Sequence, residues 1–196
     1  MSIPPSAPNQ TLRVLTVCTG NTCRSPMAEG ILRDRLARVG IDAVVASVGT
    51  LGWSERGATP KAIEAMAERE IDISAHRSRK LERDHLDVDL VLAMTRDHAG
   101  AVLARAPELR PRVFLPGELV RLVRERRRTE AGSIAVDEIA ATRQGTTIGR
   151  AAEQVADPAG ESLDVYRLTA ARLDRDLSAL VEGLAESSWR VFPQEA

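Results

Sequence analysis

The sequence predicts an α/β fold of three layers, with helices on both faces of a central, mostly parallel four-stranded sheet. Short β-branched runs alternate with stretches of helical periodicity along the chain. Strands that alternate with helices close most simply into parallel units. The run from Val88 to Met94 is apolar almost throughout, as a strand covered on both faces should be.

Leu12 to Val17 forms the first strand, which ends at Cys18. A tight polar loop, Thr19 to Arg24, follows. Ser25-Pro26 opens the first helix, with Ser25 as N-cap and Pro26 at the first helical position. Met27, Ile31, Leu32, Leu36 and Val39 mark its apolar face, and Gly40 stops it. Asp42 to Val48 is the second strand. The loop after it, Gly49 to Gly57, carries Trp53. Thr59-Pro60 starts a helix that runs to about Arg69.

The third strand is Val88 to Met94, followed by a helix from about Thr95 to Arg105. Val113 to Leu115 is a short fourth strand. Gly117 to about Arg128 is helical and basic, through Arg121, Arg124, Arg126, Arg127 and Arg128, and reads as a solvated face. Residues 129–154 are polar and weakly helical, an insertion on the surface. Asp157-Pro158-Ala159-Gly160 is a turn. The last helix runs from about Leu163 to Ala185, with Tyr166, Leu173, Leu177, Leu180, Val181 and Leu184 on its core face. The expected organisation is a disordered lead (1–11), one domain (12–187) and a tail (188–196).

With 196 residues, 43% of them hydrophobic and 28% charged, the chain has enough apolar surface for one core. A net charge of −1 gives no general pull toward nucleic acid or an anionic membrane. No apolar run approaches the roughly 18 residues of a membrane span. The segment MSIPPSAPNQ lacks the features of a signal peptide, so the cytoplasm is the expected location. Two cysteines and three scattered histidines (His76, His85, His98) show no zinc-ligand spacing. Neither a metal nor another cofactor is expected, and the histidines read as surface or helix-flank residues.

The chemistry concentrates in Val17-Cys-Thr-Gly-Asn-Thr-Cys-Arg-Ser-Pro26. A loop from the carboxyl end of a strand to a helix N-terminus is where open α/β sheets bind anions. Its N–H groups point inward and the helix dipole adds positive potential. Gly20 lets the backbone turn without a Cβ clash. A thiolate at Cys18 would sit in that positive field. Arg24 can fold back and grip two oxygens of a tetrahedral anion in a planar fork. Nucleophile, amide cradle and guanidinium together equip a site for phosphoryl transfer through a cysteinyl-phosphate.

The full string, Val17-Cys18-Thr-Gly20-Asn21-Thr-Cys23-Arg24-Ser25-Pro26-Met-Ala28-Glu29, resembles the signature of the low-molecular-weight protein tyrosine phosphatases at every fixed position. Ala46-Ser47-Val48-Gly49-Thr50, Gly57-Ala-Thr-Pro60, Asp89 to Met94 and Ala106 to Arg110 also resemble family segments. The resemblance implies a phosphatase I-like fold and a metal-independent phosphatase acting on a phosphorylated protein, with no nucleic-acid partner and no membrane insertion. Cys18 is then the nucleophile, Arg24 the phosphate clamp, and Asp157, in the only Asp-Pro pair of the chain, the general acid. Thr19, Gly20, Asn21, Thr22, Cys23, Ser25 and Trp53 are the implied phosphate- or substrate-contacting residues. Ser47 and His76 support the loop, His76 through Asn21. Ser25 is implied to donate to the Cys18 thiolate, with plain N-capping as its competing role. The resemblance also implies a reversible disulfide between Cys23 and Cys18.

Two features bear on the leaving group. Thr22 stands where tyrosine-directed members often carry Ile, and in this it resembles the bacterial protein arginine phosphatases, whose Thr helps position the attacking water. After Asp157-Pro158 come Ala159 and Gly160 rather than the aromatics of either subgroup. Trp53 is expected at the pocket rim, where it can stack on a phenyl ring or a guanidinium. Phosphotyrosine is the expected substrate and phosphoarginine the alternative. Arsenate reduction would need further cysteines to pass a disulfide outward, and only Cys18 and Cys23 are present.

Overall fold

The computed structural model describes residues 11–51, 53, 55–128, 132–186 and 189–191. Four parallel strands form the main sheet: β1 (Leu12–Cys18), β2 (Ala43–Gly49), β3 (Leu90–Ala93) and β4 (Val113–Phe114), in the order β2-β1-β3-β4. The strand alternation explains the three layers. Leu12, Val14, Leu90 and Leu92 face one core, with helix α1 (Arg24–Arg38) and helix α6 (Leu163–Ala185) against it. Leu15, Val17, Val91 and Ala93 face the other, with Val102 and Ala99 of α3 (Arg96–Leu103). Thr16 on β1, polar yet buried, donates its hydroxyl to the Ser25 carbonyl at 2.9 Å. That bond ties the start of α1 to the sheet. Between β1 and β3 the chain direction of travel across the sheet reverses, and Cys18 and Ala93 both end there. Such a switch point is where this class of sheet leaves a crevice.

The remaining elements are α2 (Pro60–Ala67), α4 (Pro116–Arg127), α5 (Val136–Ala141) and a two-stranded parallel pair, β5 (Ile134–Ala135) with β6 (Trp189–Arg190). No described helix is long and apolar enough to cross a membrane.

Several expectations need correction. Ser25 is not the N-cap of α1: Cys23 holds that position, with no side-chain capping bond, and Ser25 lies inside the first turn. Its hydroxyl is committed elsewhere, as shown below. The described part of the insertion, 132–154, is not a polar surface excursion. Ile134, Val136 and Ile139 join one core and Ile148 the other. Its large apolar residues are each buried, on segments too short to show a period. Arg143 from this segment caps Phe114 at 4.1 Å and pairs with buried Glu118 at 2.9 Å.

The tail is likewise structured where it is described. Trp189 is 1% exposed and donates its indole N–H to the Leu180 carbonyl at 3.0 Å. A large aromatic with its N–H satisfied is well suited to close a core. The expected lead falls outside the described residues except for Thr11, which donates to Asp42 at 2.5 Å. On α4, Arg121 is not free in solvent: it pairs with Glu153 at 2.5 Å and Glu125 at 3.0 Å.

Candidate active site

The loop from Cys18 to Ser25 turns tightly because its carbonyls are drawn outward. The Cys18, Thr19 and Thr22 carbonyls accept from the N–H groups of Thr50, Leu51 and Thr59 at 2.9, 3.0 and 2.8 Å. Among the described residues, the N–H groups of Thr19 to Cys23 meet no acceptor. Unpaired donors around one concavity at a helix start suit an anion. Gly49 passes directly beneath: a Cβ there would lie 2.6 Å from the Thr19 oxygen and 2.9 Å from the Asn21 nitrogen. No side chain fits at that position.

Asn21, rather than Gly20, supplies the left-handed turn, with φ of 54°. Asparagine tolerates this region when its side chain bonds locally. Here the Asn21 amide donates to Ser25 Oγ (2.9 Å) and Ser47 Oγ (2.8 Å), and its oxygen accepts from the Arg79 N–H (2.8 Å). Ser47 in turn donates to buried Glu29. His76 Nε2 meets the Asn21 carbonyl at 2.7 Å, and burial pushes the His76 pKa below its usual value. Gly20 is a glycine for another reason: Trp53 Cζ3 would stand 3.2 Å from its Cβ.

The Cys18 sulfur is 2% exposed at the residue level and lies 3.0 Å from Ser25 Oγ. Ser25 Oγ accepts from Asn21, and its own proton can go to the sulfur or to the Val48 carbonyl at 3.5 Å. Arg24 is 4% exposed. Its Nη1 donates to the Val155 carbonyl at 3.1 Å, and its Nη2 to Thr19 Oγ1 at 3.2 Å and to Asp157 Oδ2 at 2.6 Å. Among the described residues its buried Nε has no partner. An incoming oxyanion would satisfy it. Asp157 is half exposed, and its second oxygen accepts from the Ala159 N–H at 3.2 Å, which holds the carboxylate at the mouth.

Trp53 lies against Gly20, is 48% exposed and carries the Arg56 guanidinium over its ring at 4.6 Å. Thr22 is half-buried. The Cys23 sulfur lies 3.4 Å from Thr59 Oγ1 and 3.5 Å from the Tyr166 hydroxyl, and both cysteines are free thiols. Burial raises the Tyr166 pKa above its ordinary value. No group of three His, Cys, Asp or Glu side chains suited to a metal ion occurs among the described residues.

Ser47, Trp53, His76 and Asp157 thus each meet the loop from Cys18 to Ser25, whereas the Cys23 sulfur contacts Thr59 and Tyr166. Sequence reasoning missed His98. It is 5% exposed, and its Nε2 lies 2.9 Å from Thr19 Oγ1, so it is neither a surface nor a flanking residue. The available signal was its place just after β3, on the carboxyl side of a central strand. Glu29, Arg79 and the Val155 carbonyl were also not anticipated as parts of the network.

Residues 13–131 match the family described as low molecular weight phosphotyrosine protein phosphatase. A protein-arginine-phosphatase of Bacillus subtilis is 33% identical over 172 residues, covering 87% of this chain and 95% of its own. The low molecular weight protein-tyrosine-phosphatase Etp of Escherichia coli is 39% identical over 106 residues, covering 54% and 69%. Among solved structures, a low molecular weight protein tyrosine phosphatase from T. tengcongensis superposes with a TM-score of 0.68 at 34% identity, over 88% of this chain and 99% of that one.

Proposed function

The chain belongs to the low molecular weight phosphotyrosine protein phosphatase family, and we propose that it hydrolyses phosphotyrosine in proteins through a phosphate carried on Cys18. The observation that carries this reading is Arg24. One buried guanidinium touches the anion loop through Thr19 and the Asp157 carboxylate at once. It thereby brings clamp and proton donor to the mouth that holds Cys18.

In the first step the Cys18 thiolate, bonded by Ser25, attacks phosphorus. The bond from phosphorus to the ester oxygen breaks, and Asp157 gives its proton to that oxygen. The loop N–H groups and Arg24 hold the three remaining oxygens as charge redistributes. In the second step Asp157 takes a proton from water, the water oxygen attacks phosphorus, and the sulfur–phosphorus bond breaks. Phosphate and thiolate are regenerated.

The test is hydrolysis of an aryl phosphate in the presence of a metal chelator, with turnover expected to persist and its absence sinking the reading. Asp157→Ala should lower turnover by roughly 10²–10⁴-fold for poor leaving groups. Leaving groups that need no proton should be affected least. A flat response across leaving groups would place the acid elsewhere.

A second reading, phosphoarginine, is favoured by Thr22 and by the Bacillus subtilis arginine phosphatase, which matches along nearly its whole length. A small polar residue there can hold the water of the second step, whereas a branched one would crowd it and shape a slot for a flat ring. Thr22→Ile is therefore expected to raise the ratio of kcat/KM for phosphotyrosine over phosphoarginine by about tenfold, the effect of one or two methylenes in a pocket. An unmoved ratio removes Thr22 as a selectivity residue.

A further inference from the structure

His98 sits across the switch-point crevice from the anion loop, at the start of α3. Its two ring nitrogens have different duties. Nε2 lies 2.9 Å from Thr19 Oγ1, and Nδ1 lies 2.9 Å from Thr95 Oγ1. Thr19 Oγ1 also receives the Arg24 Nη2 donor at 3.2 Å. A guanidinium has no acceptor, so the Thr19 oxygen must be the acceptor there. The Thr19 proton is then free to go to His98. A lone pair at Nε2, facing the positive side of Arg24, is electrostatically better than an N–H. Nδ1 is left to carry the ring proton and to donate it to Thr95. The bonds run in one direction, Arg24 to Thr19 to His98 to Thr95.

We propose that His98 is a positioning residue for the anion clamp: as a neutral imidazole it takes the Thr19 proton at Nε2, and so turns the Thr19 lone pairs to hold Arg24 in its gripping orientation. The proposal rests on the reading of Arg24 as the phosphate clamp. The groups facing His98 are Arg24 from α1, Asp97 from its own helix and Asp157 from the acid loop. Burial and then the Arg24 charge depress its pKa to about 4, with the two aspartates opposing. The ring therefore stays neutral throughout the range in which the clamp must work. In the folded state the pKa lies below its usual value of 6.5. The unfolded chain thus binds the extra proton between pH 6.5 and about 4, and this residue lowers stability as pH falls through that window.

The experiment has two independent readouts. Nitrogen-15 spectra of the wild type should show His98 as the neutral Nδ1–H tautomer from pH 8 to about 5, consistent with the depressed value above. An Nε2–H tautomer overturns the proposal whether or not any variant folds. Titration with inorganic phosphate, which needs no turnover, is the second. Thr19→Val and His98→Leu should each weaken phosphate binding by roughly tenfold, the share of one charge-assisted hydrogen bond. The double variant should be no worse than the weaker single, because both break one chain. His98→Gln, which offers an oxygen near the Nε2 position, should recover most of the affinity; a merely packed imidazole would not be rescued this way. Binding within twofold of wild type in His98→Leu, or losses that multiply in the double variant, sinks this proposal alone. A wild type that binds no phosphate sinks the functional reading and the proposal together.

Discussion

Cys18→Ser is expected to give a folded protein that still binds inorganic phosphate but turns over an aryl phosphate at least about 10⁴-fold more slowly, as losses of a covalent nucleophile generally do. The substitution is nearly isosteric. It keeps the cradle, because the loop shape comes from Asn21, Ser47 and the outward carbonyls rather than from the sulfur. It loses the nucleophile, because a serine hydroxyl does not ionise where a thiol does. Ser25 Oγ lies 3.0 Å from the sulfur. Turnover, phosphate titration and a thermal melt separate the outcomes. An unchanged rate in a folded variant would remove Cys18 from the chemistry. Loss of phosphate binding would show instead that the sulfur shapes the loop.

The loop was legible in the sequence because its chemistry is local. Cysteine, asparagine and arginine within seven positions, between a strand and a helix, already describe a cradle. The strands were legible as short, nearly continuous apolar runs, and the long last helix by its periodic apolar face. Leu163 to Ala185 is observed with the expected limits. What the sequence hid is long-range. His98 joins Thr19 from 79 positions away, across a crevice created only by strand order. A lone histidine near a helix start carries no mark of that partner.

Short elements were hidden for a different reason. β5 and β6 have two residues each, and α5 has six. None spans enough chain for a period to appear, so their apolar residues read as isolated. Ile134 and Trp189 pair in register with each other, and both are buried in the main core. Ser25 shows a local rule overridden by the site. It has the composition of an N-cap, but it lies inside the first turn, where its hydroxyl accepts from Asn21 and sits 3.0 Å from the Cys18 sulfur. Local propensity failed where function made a competing demand.

Arg24→Lys should be almost as damaging as Arg24→Ala, with kcat/KM for an aryl phosphate falling by roughly 10²–10³-fold. The substitution keeps the charge, so the loss isolates geometry. In the free site the guanidinium spans three partners at once: the Val155 carbonyl through Nη1, and Thr19 and Asp157 through Nη2. It still has Nε without a partner among the described residues. An ammonium is a single point on a shorter reach and cannot hold the acid loop while gripping two phosphate oxygens. Each charge-assisted hydrogen bond given up contributes about 1.5–3 kcal/mol, and about 1.4 kcal/mol is a factor of ten. One lost prong plus a misplaced Asp157 therefore yields the expected range. The comparison of the two variants is the decisive measurement. If lysine restores more than a tenth of the wild-type kcat/KM while alanine does not, charge alone is what the site uses, and the two-pronged grip is wrong.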